Sequence, residues 1–162
     1  MPNSPIENLI QNLGILIVDG NAYMRRLARM MLLNLGARSV MEASDGIAAL
    51  DVIRDCDPDI VVLEWDVPLL GGMELMRIVR SPGVFPRPNI PIIMLTERAH
   101  SSSVRAALRA GVHEYLLKPT SPKALQDRLT SIVVKPRPMM QLGEHYVPKP
   151  RKLDEPNQAS GS

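Results

Sequence analysis

Four polar side chains suited to phosphoryl chemistry each end a short apolar run of this sequence. Two are carboxylates, Asp19 at the end of LGILIVD and Glu64 at the end of DIVVLE. The others are the hydroxyl of Thr96, which ends IPIIMLT, and the ammonium of Lys118, which ends HEYLLK. Carboxylates hold Mg²⁺, whereas a hydroxyl and an ammonium bind phosphate oxygens. The alternative is a salt-bridged strand edge without further function, which we favour for any one of these residues but not for four together.

The four residues can meet only if the runs that carry them are strands of one sheet. The sequence predicts five strands, at residues 13–19, 39–43, 59–64, 90–96 and 113–119. Apolar residues at helical spacing predict five helices that alternate with them, at 21–36, 44–56, 72–80, 101–111 and 121–133. This alternation indicates an α/β fold, with a parallel sheet and helices on both of its faces. In such open sheets the functional crevice lies beyond the carboxyl ends of the strands, where the four residues would converge.

The composition is that of a globular protein with an ordinary core. Of the 162 residues, 45% are apolar and 22% are charged, and the net charge of +2 does not indicate a nucleic-acid binder. A single cysteine, Cys56, excludes an intramolecular disulfide framework and is typical of a reducing compartment. The N-terminal residues lack the features of a signal peptide, and no apolar run is long enough to span a membrane. We therefore expect a cytoplasmic protein that does not bind membranes.

Motifs of the common enzyme classes are missing from the sequence. It has no GxSxG elbow, no Ser/His/Asp signature, no P-loop and no Cys/His spacing typical of a metal site. A lone histidine at the start of a predicted strand, His113, is interpreted as structural. We expect a signalling or binding module, not an enzyme.

The two ends of the chain differ from the alternating part. Residues 1–12 form a short lead-in, and residues 135–162 hold five of the fifteen prolines. Because proline cannot donate to a ladder, we predict an extended, partly disordered tail without regular strands. No recognition helix is visible in it, so nucleic-acid binding is not expected. Several of its residues are nevertheless too apolar for a solvated tail, which favours docking on a protein surface, its own or that of a dimer mate: Met139, Met140, Leu142, Tyr146 and Val147.

Several stretches resemble the motifs of a known family. ILIVDGN, PDIVVLEWDVPLLGGMEL, IPIIMLTE and EYLLKP are similar to those of the receiver domain of bacterial response regulators, the phosphate-accepting half of two-component signalling. The resemblance covers about residues 13–134, with the motifs in the family's order and at matching intervals. It implies a flavodoxin-like, doubly wound sheet with strand order 2-1-3-4-5. It also implies a histidine kinase or phosphotransfer protein upstream, a protein target downstream, and Mg²⁺ as cofactor.

The residues of the reacting half depart from the family pattern. By resemblance, Asp19 matches the first of two metal-binding acids, but the second falls on Gly20. The phosphoacceptor aspartate falls on Glu64, and Asp66 falls where the family offers Mg²⁺ a backbone carbonyl. Asp19, Glu64 and Asp66 could therefore form at best a weak metal site, so we expect Mg²⁺ binding to be weakened or absent.

The residues of the sensing half keep the family pattern. Thr96 matches the switch hydroxyl, Tyr115 the aromatic side chain that moves with it, and Lys118 the ammonium that binds phosphate. Glutamate at position 64 is one methylene longer than aspartate, so its carboxylate reaches toward the place that a phosphoryl group would take. There it could imitate part of the charge of a phosphoaspartate.

Three functions are compatible with these residues. We favour an atypical regulator, a pseudo-receiver that acts through protein–protein interaction without phosphate. The alternative is a receiver still phosphorylated by a histidine kinase at Glu64 or Asp66. A flavodoxin-like ligand-binding protein fits worst, because the turn DGNAYM lacks a phosphate-binding loop. A homodimer is open, and Arg105 and Arg109, four residues apart on one helix, could serve a docking surface or simply face solvent.

Overall fold

The computed structural model describes residues 4–150. A parallel sheet is built from β1 to β5, and the chain continues after the last helix into two further strands, β6 and β7. The strands are β1 Gly14–Val18, β2 Ser39–Ala43, β3 Ile60–Leu63, β4 Ile92–Thr96, β5 Glu114–Leu117, β6 Met139–Leu142 and β7 His145–Pro148. The helices are α1 Pro5–Gln11, α2 Ala22–Asn34, α3 Gly46–Cys56, α4 Gly72–Arg80, α5 Ser101–Ala110 and α6 Pro122–Val134.

The sheet has the strand order β2-β1-β3-β4-β5, with every neighbouring pair parallel. This confirms the predicted order 2-1-3-4-5 and all ten predicted elements of the alternating part. Strands β3 and β4 are buried along their whole length, because helices cover both faces of a doubly wound sheet. One face packs against α3, α4 and α5, and the other against α1, α2 and α6. The polar residues that follow the strands therefore lie at one edge of a rigid, apolar platform.

Side-chain caps fix where the helices begin next to this edge. Asn21 accepts hydrogen bonds from the backbone amides of Tyr23 and Met24, and Asp45 accepts one from Ala48. At α6, Ser121 caps the helix and Pro122 occupies its first position, as the sequence predicts. Since each cap starts a helix directly after a strand, the connecting turns are short and hold the strand-end residues in place.

Residues 4–12 hold a helix that the sequence analysis described only as a lead-in. Ser4 and Glu7 form a reciprocal capping box at its start, and Ile10 is buried against the α2–α6 side of the core. Helix α1 thereby adds to the core formed by α2, α6 and the adjoining face of the sheet.

The prediction that the C-terminal tail has no regular strands is wrong for residues 139–148. Strands β6 and β7 pair antiparallel around a turn in which Gly143 has φ +64°. The prolines do not prevent this ladder, because Pro138 precedes β6 and Pro148 ends β7, where no inward amide is required. A two-residue turn that starts with glycine is a hairpin signal, and LGEH carried it. The part of the predicted disordered tail at residues 151–162 lies outside the described residues.

Within residues 4–150, none of the helices has both the length and the apolar character required to cross a lipid bilayer.

Candidate functional site

The crevice at the carboxyl end of the sheet is centred on a buried ammonium group. Lys118, which follows β5, places Nζ 2.6 Å from Oδ2 of Asp19, and 3.4 Å from Oε2 of Glu64. All three side chains are about nine-tenths buried, with 8% of Lys118, 9% of Asp19 and 11% of Glu64 exposed. The sequence prediction that these strand-end residues converge is confirmed. The shorter distance shows that Lys118 is bound chiefly to Asp19.

Glu64 connects this ion pair to the hydroxyl of Thr96. The Oγ1 of Thr96, which is fully buried, donates a hydrogen bond of 3.3 Å to Oε1 of Glu64. The other carboxylate oxygen of Glu64, Oε2, accepts no hydrogen bond from the described residues. The contact between Oε2 and Lys118 is therefore an attraction between charges. Burial raises the pKa of Glu64, and the neighbouring Asp19 carboxylate adds to this, while Lys118 and Thr96 oppose it.

Pro68 of the neighbouring loop packs against Gly20, where the resemblance implies a second metal-binding acid. A Cβ atom built on Gly20 would lie 2.7 Å from Cδ and 3.0 Å from Cγ of Pro68. Pro68 belongs to the turn after β3, and its ring is rigid. Any side chain at position 20 would therefore require the turn to move.

Asp66 lies at the rim of the crevice and is engaged by an arginine. Nε and Nη2 of Arg98 lie 3.2 and 2.7 Å from the two carboxylate oxygens of Asp66, a bidentate arrangement. The same guanidinium lies 4.8 Å from the centre of the Trp65 ring. The hydrogen bond from Arg98 is the main reason that the pKa of Asp66 is lowered. The carboxylate of Asp66 is thus directed to Arg98, not to the Lys118 centre.

Tyr115 joins the same loop from β5. Its hydroxyl donates a 2.7 Å hydrogen bond to the backbone carbonyl of Arg98. Thr96 and Arg98 are two residues apart, so Glu64 and Tyr115 hold the β4–α5 loop at two points. Sequence reasoning missed Arg98, although a signal existed: Arg98 follows Thr96 by two residues, just as Asp66 follows Glu64 on the adjacent strand.

The described residues do not form a cluster of acids around an open position. No group of three His, Cys, Asp or Glu side chains within residues 4–150 is arranged to hold a metal ion. Of the three acids predicted as weak ligands, Asp19 and Glu64 both contact Lys118, and Asp66 is paired with Arg98. Each of the three carboxylates therefore has a cationic partner in this structure.

The fold and the order of these residues agree with the family that the motifs resemble. The model of the response regulator receiver domain matches residues 15–130. The chain belongs to the response regulator receiver family. The chemotaxis protein CheY-3 of Vibrio cholerae is 34% identical over 124 residues, which are 76% of this chain and 94% of that protein. Chemotaxis protein CheY1 of Helicobacter pylori is 34% identical over 120 residues, or 74% of this chain and 95% of that protein.

Solved receiver structures superpose on the same part of the chain. A response regulator from Chloroflexus aurantiacus, at 29% identity, matches with a TM-score of 0.70 and covers 76% of this chain and 98% of its own. The receiver domain of the sensor histidine kinase PA1611 from Pseudomonas aeruginosa has 29% identity and a TM-score of 0.68, with the same coverage. That structure holds a magnesium ion in its active-site cleft. The match to the family model ends before the β6–β7 hairpin, which is therefore an addition to the receiver fold.

Proposed function

We propose that this receiver domain works in two-component signalling as a pseudo-receiver, adopting a signalling conformation without phosphate. The observation that carries the proposal is the hydrogen bond of Thr96 to Glu64. In the family, the switch hydroxyl turns toward the phosphoryl group, and here it already has an anionic partner. Its expected partners are a histidine kinase or phosphotransfer protein upstream and a protein target downstream, and its role is to transmit a signal by binding, not catalysis.

The extra methylene of glutamate explains how a side chain can take this role. It extends the carboxylate until one oxygen reaches Thr96 and the other reaches Lys118, the two groups that would bind phosphate oxygens. A carboxylate supplies one charge and two acceptor atoms, where a phosphoryl group supplies up to two charges and three. Glu64 therefore shifts the β4–α5 loop only partly toward the signalling conformation. A partner that binds this conformation can shift the equilibrium the rest of the way.

We further propose that Mg²⁺ binds weakly or not at all. Divalent affinity depends on the number and charge of oxygen ligands. Gly20 offers no side-chain ligand, Pro68 occupies the adjoining space, and Lys118 neutralises Asp19. A titration of the intrinsic fluorescence of Trp65, the only tryptophan, with MgCl₂ should give no saturable change.

Phosphorylation at Glu64 or Asp66 is the competing function. Glu64 is held between Thr96 and Lys118, and Asp66 is held by Arg98, so neither carboxylate is placed for in-line attack assisted by a metal. We expect incubation with acetyl phosphate and Mg²⁺ to leave the intact mass unchanged.

The double variant Gly20→Asp, Glu64→Asp serves as the matched control, because it restores both family acids. Since a side chain at position 20 requires the Pro68 turn to move, a thermal melt should first show that this variant is folded. A gain of one phosphoryl mass in this variant but not in the wild type supports the proposal. A phosphoryl adduct on the wild type that disappears in Glu64→Ala or in Asp66→Asn would assign the acceptor and overturn it. Hydrogen exchange gives a second readout. Glu64→Ala should speed exchange of the amides of residues 96–98. In the wild type, acetyl phosphate should not slow exchange of these amides.

A further inference from the structure

The β6–β7 hairpin lies across α4 and α5, on the other side of the sheet from α6. Strand β7 contacts both helices. The chain leaves α6, passes beneath the amino end of β5, and turns onto the opposite face. The hairpin is outside the range that matches the receiver family, so its contacts add a surface of their own.

Arg137 anchors the crossing point. Its guanidinium donates a hydrogen bond to the carbonyl of His113 and lies 3.4 Å from Oε1 of Glu114. Glu114 is 3% exposed and also pairs with Arg128 of α6, at 3.0 Å. A buried carboxylate that binds two arginines holds the start of the tail firmly against β5.

The hairpin also fits closely against the end of α5. Gly111 ends that helix with φ +108°, and a Cβ there would lie 3.0 Å from the carbonyl oxygen of Tyr146. Beneath it, the fully buried Arg80 donates hydrogen bonds of 3.0 and 2.9 Å to the Gly111 carbonyl and one of 2.7 Å to that of Pro88. Burial lowers the pKa of Arg80 to about 9, which leaves it charged at neutral pH. The backbone under the hairpin is therefore fixed.

A pocket of about 300 Å³ opens between α5 and this hairpin. Its walls are largely apolar, formed by Leu108, Val112, Met140, Leu142, Val147 and Pro148. Three of these side chains keep much of their surface in solvent: Leu108 is 36%, Met140 40% and Leu142 51% exposed. Exposed apolar side chains grouped around a concavity are typical of a protein-interaction site. The volume suits one or two large side chains and is small for a whole drug-sized molecule.

The two charged residues that line the pocket are both arginines, and Arg137 is paired with the buried Glu114. Arg109 and Arg137 contribute to its lining, which includes no Asp or Glu. Arg105 lies one turn before Arg109 on the same helix, and Lys149 follows Pro148. A segment that places an apolar side chain in the pocket would therefore gain from acidic neighbours.

We propose that the α5–hairpin pocket binds a short acidic segment of a partner protein, anchored by one or two large apolar side chains. The pocket supplies the apolar anchor site, Arg109 selects for acidic flanks, and the Arg137 anchor keeps the pocket formed. This interaction surface does not depend on whether Glu64 accepts phosphate.

The test is a selection of random twelve-residue peptides displayed on phage against the full chain. Selected sequences should combine Leu, Met or Phe with Asp or Glu, and the corresponding synthetic peptides should bind with an affinity that falls as salt rises. Leu142→Asp and Arg109→Glu should each weaken binding by about tenfold or more, and Arg109→Glu should also reduce the salt dependence.

Leu33→Asp provides the matched control, because Leu33 is a comparably exposed leucine, 44% against 51% for Leu142, and should leave the affinity unchanged. It lies on α2, which packs on the opposite face of the sheet from α4 and α5. Thermal melts followed by circular dichroism would show that each variant is folded. The proposal is overturned if the selected peptides lack acidic residues, if they bind both pocket variants as tightly as the wild type, or if Leu33→Asp weakens them equally.

Discussion

At the carboxyl end of β5, Lys118 is enclosed by two acids, whereas at the amino end the hairpin leaves large apolar side chains in contact with solvent. In the crevice each charged group is matched inside the protein, through Asp19, Glu64 and Thr96. Around the pocket, Leu108 and Leu142 have no such internal match. The polar groups of the crevice are paired with one another, whereas the added hairpin leaves apolar surface exposed. If the proposed function is correct, signalling by this chain depends more on protein docking than on phosphoryl transfer.

Lys118→Met should cause the largest loss of stability of the variants considered, because it leaves two buried carboxylates without their cation. Removing one partner of a buried ion pair costs about 3–5 kcal/mol. Without Lys118, which lowers the pKa of Glu64, that pKa rises further, so the deficit should shrink as the pH falls. Urea unfolding at several pH values measures this effect.

Lys123→Met is the control, since Lys123 forms an exposed pair with Asp127 and should cost within about 1 kcal/mol. If Lys118→Met were as stable as the control, Asp19 and Glu64 would be solvated and would not depend on Lys118 as their buried cation.

Arg137→Ala should come next, and it examines the opposite end of the strand. It removes a hydrogen bond to the His113 carbonyl and one of two cations that face the buried Glu114. We expect a loss of about 1–3 kcal/mol in unfolding free energy. Hydrogen exchange should also show faster exchange of the hairpin amides, residues 139–147.

Arg128→Ala removes the other, more exposed cation from Glu114 and should leave the hairpin amides protected. Equal exchange in both variants would mean that the hairpin is held by its apolar contacts alone.

The residues at the carboxyl end of β5 could be predicted from the sequence, whereas the hairpin at its amino end was not. Asp19, Glu64 and Lys118 were predictable, because a buried parallel strand is a continuous apolar run and its first polar residue marks the carboxyl edge. The pairing of Arg98 with Asp66 was not predicted, since it depends on how two loops face each other. The hairpin was missed because prolines were counted without regard to their positions at the ends of its strands.

The stability of the crevice should depend on pH through the carboxyl group of Glu64. Burial raises the pKa of Glu64 in the folded state above the ordinary value of 4.5. At a pH between 4.5 and this raised pKa, the folded chain holds a proton that the unfolded chain has released. Stability from this group is complete below 4.5 and is lost as the pH rises through the folded-state pKa.

Glu64→Gln should therefore remove a decline of stability with rising pH and be relatively more stable at neutral pH than in acid. Asp19 keeps Lys118 paired in this variant, at 2.6 Å, so the ammonium is not abandoned. Chemical unfolding of both proteins across the pH series gives the difference directly. If the stability of Glu64→Gln relative to the wild type does not change with pH, or is greater in acid than at neutral pH, then Lys118 affects the pKa of Glu64 more strongly than burial does.

Arg98→Ala should have the smallest effect on stability, because its partner Asp66 is 62% exposed and exposed ion pairs contribute about 0–1 kcal/mol. Its effect on the crevice should be clearer: loss of the guanidinium from the Trp65 ring should change the fluorescence of the only tryptophan. Asp66→Asn is the matched comparison, since it removes the charge of the partner but keeps the cation near the ring. If Arg98 holds the β3–α4 turn to the β4–α5 loop, both variants should speed hydrogen exchange at residues 65–67, Arg98→Ala more than Asp66→Asn. Unchanged exchange in both would mean that Tyr115 and Glu64 alone hold the loop, and that the rim pair has no part in closing the crevice.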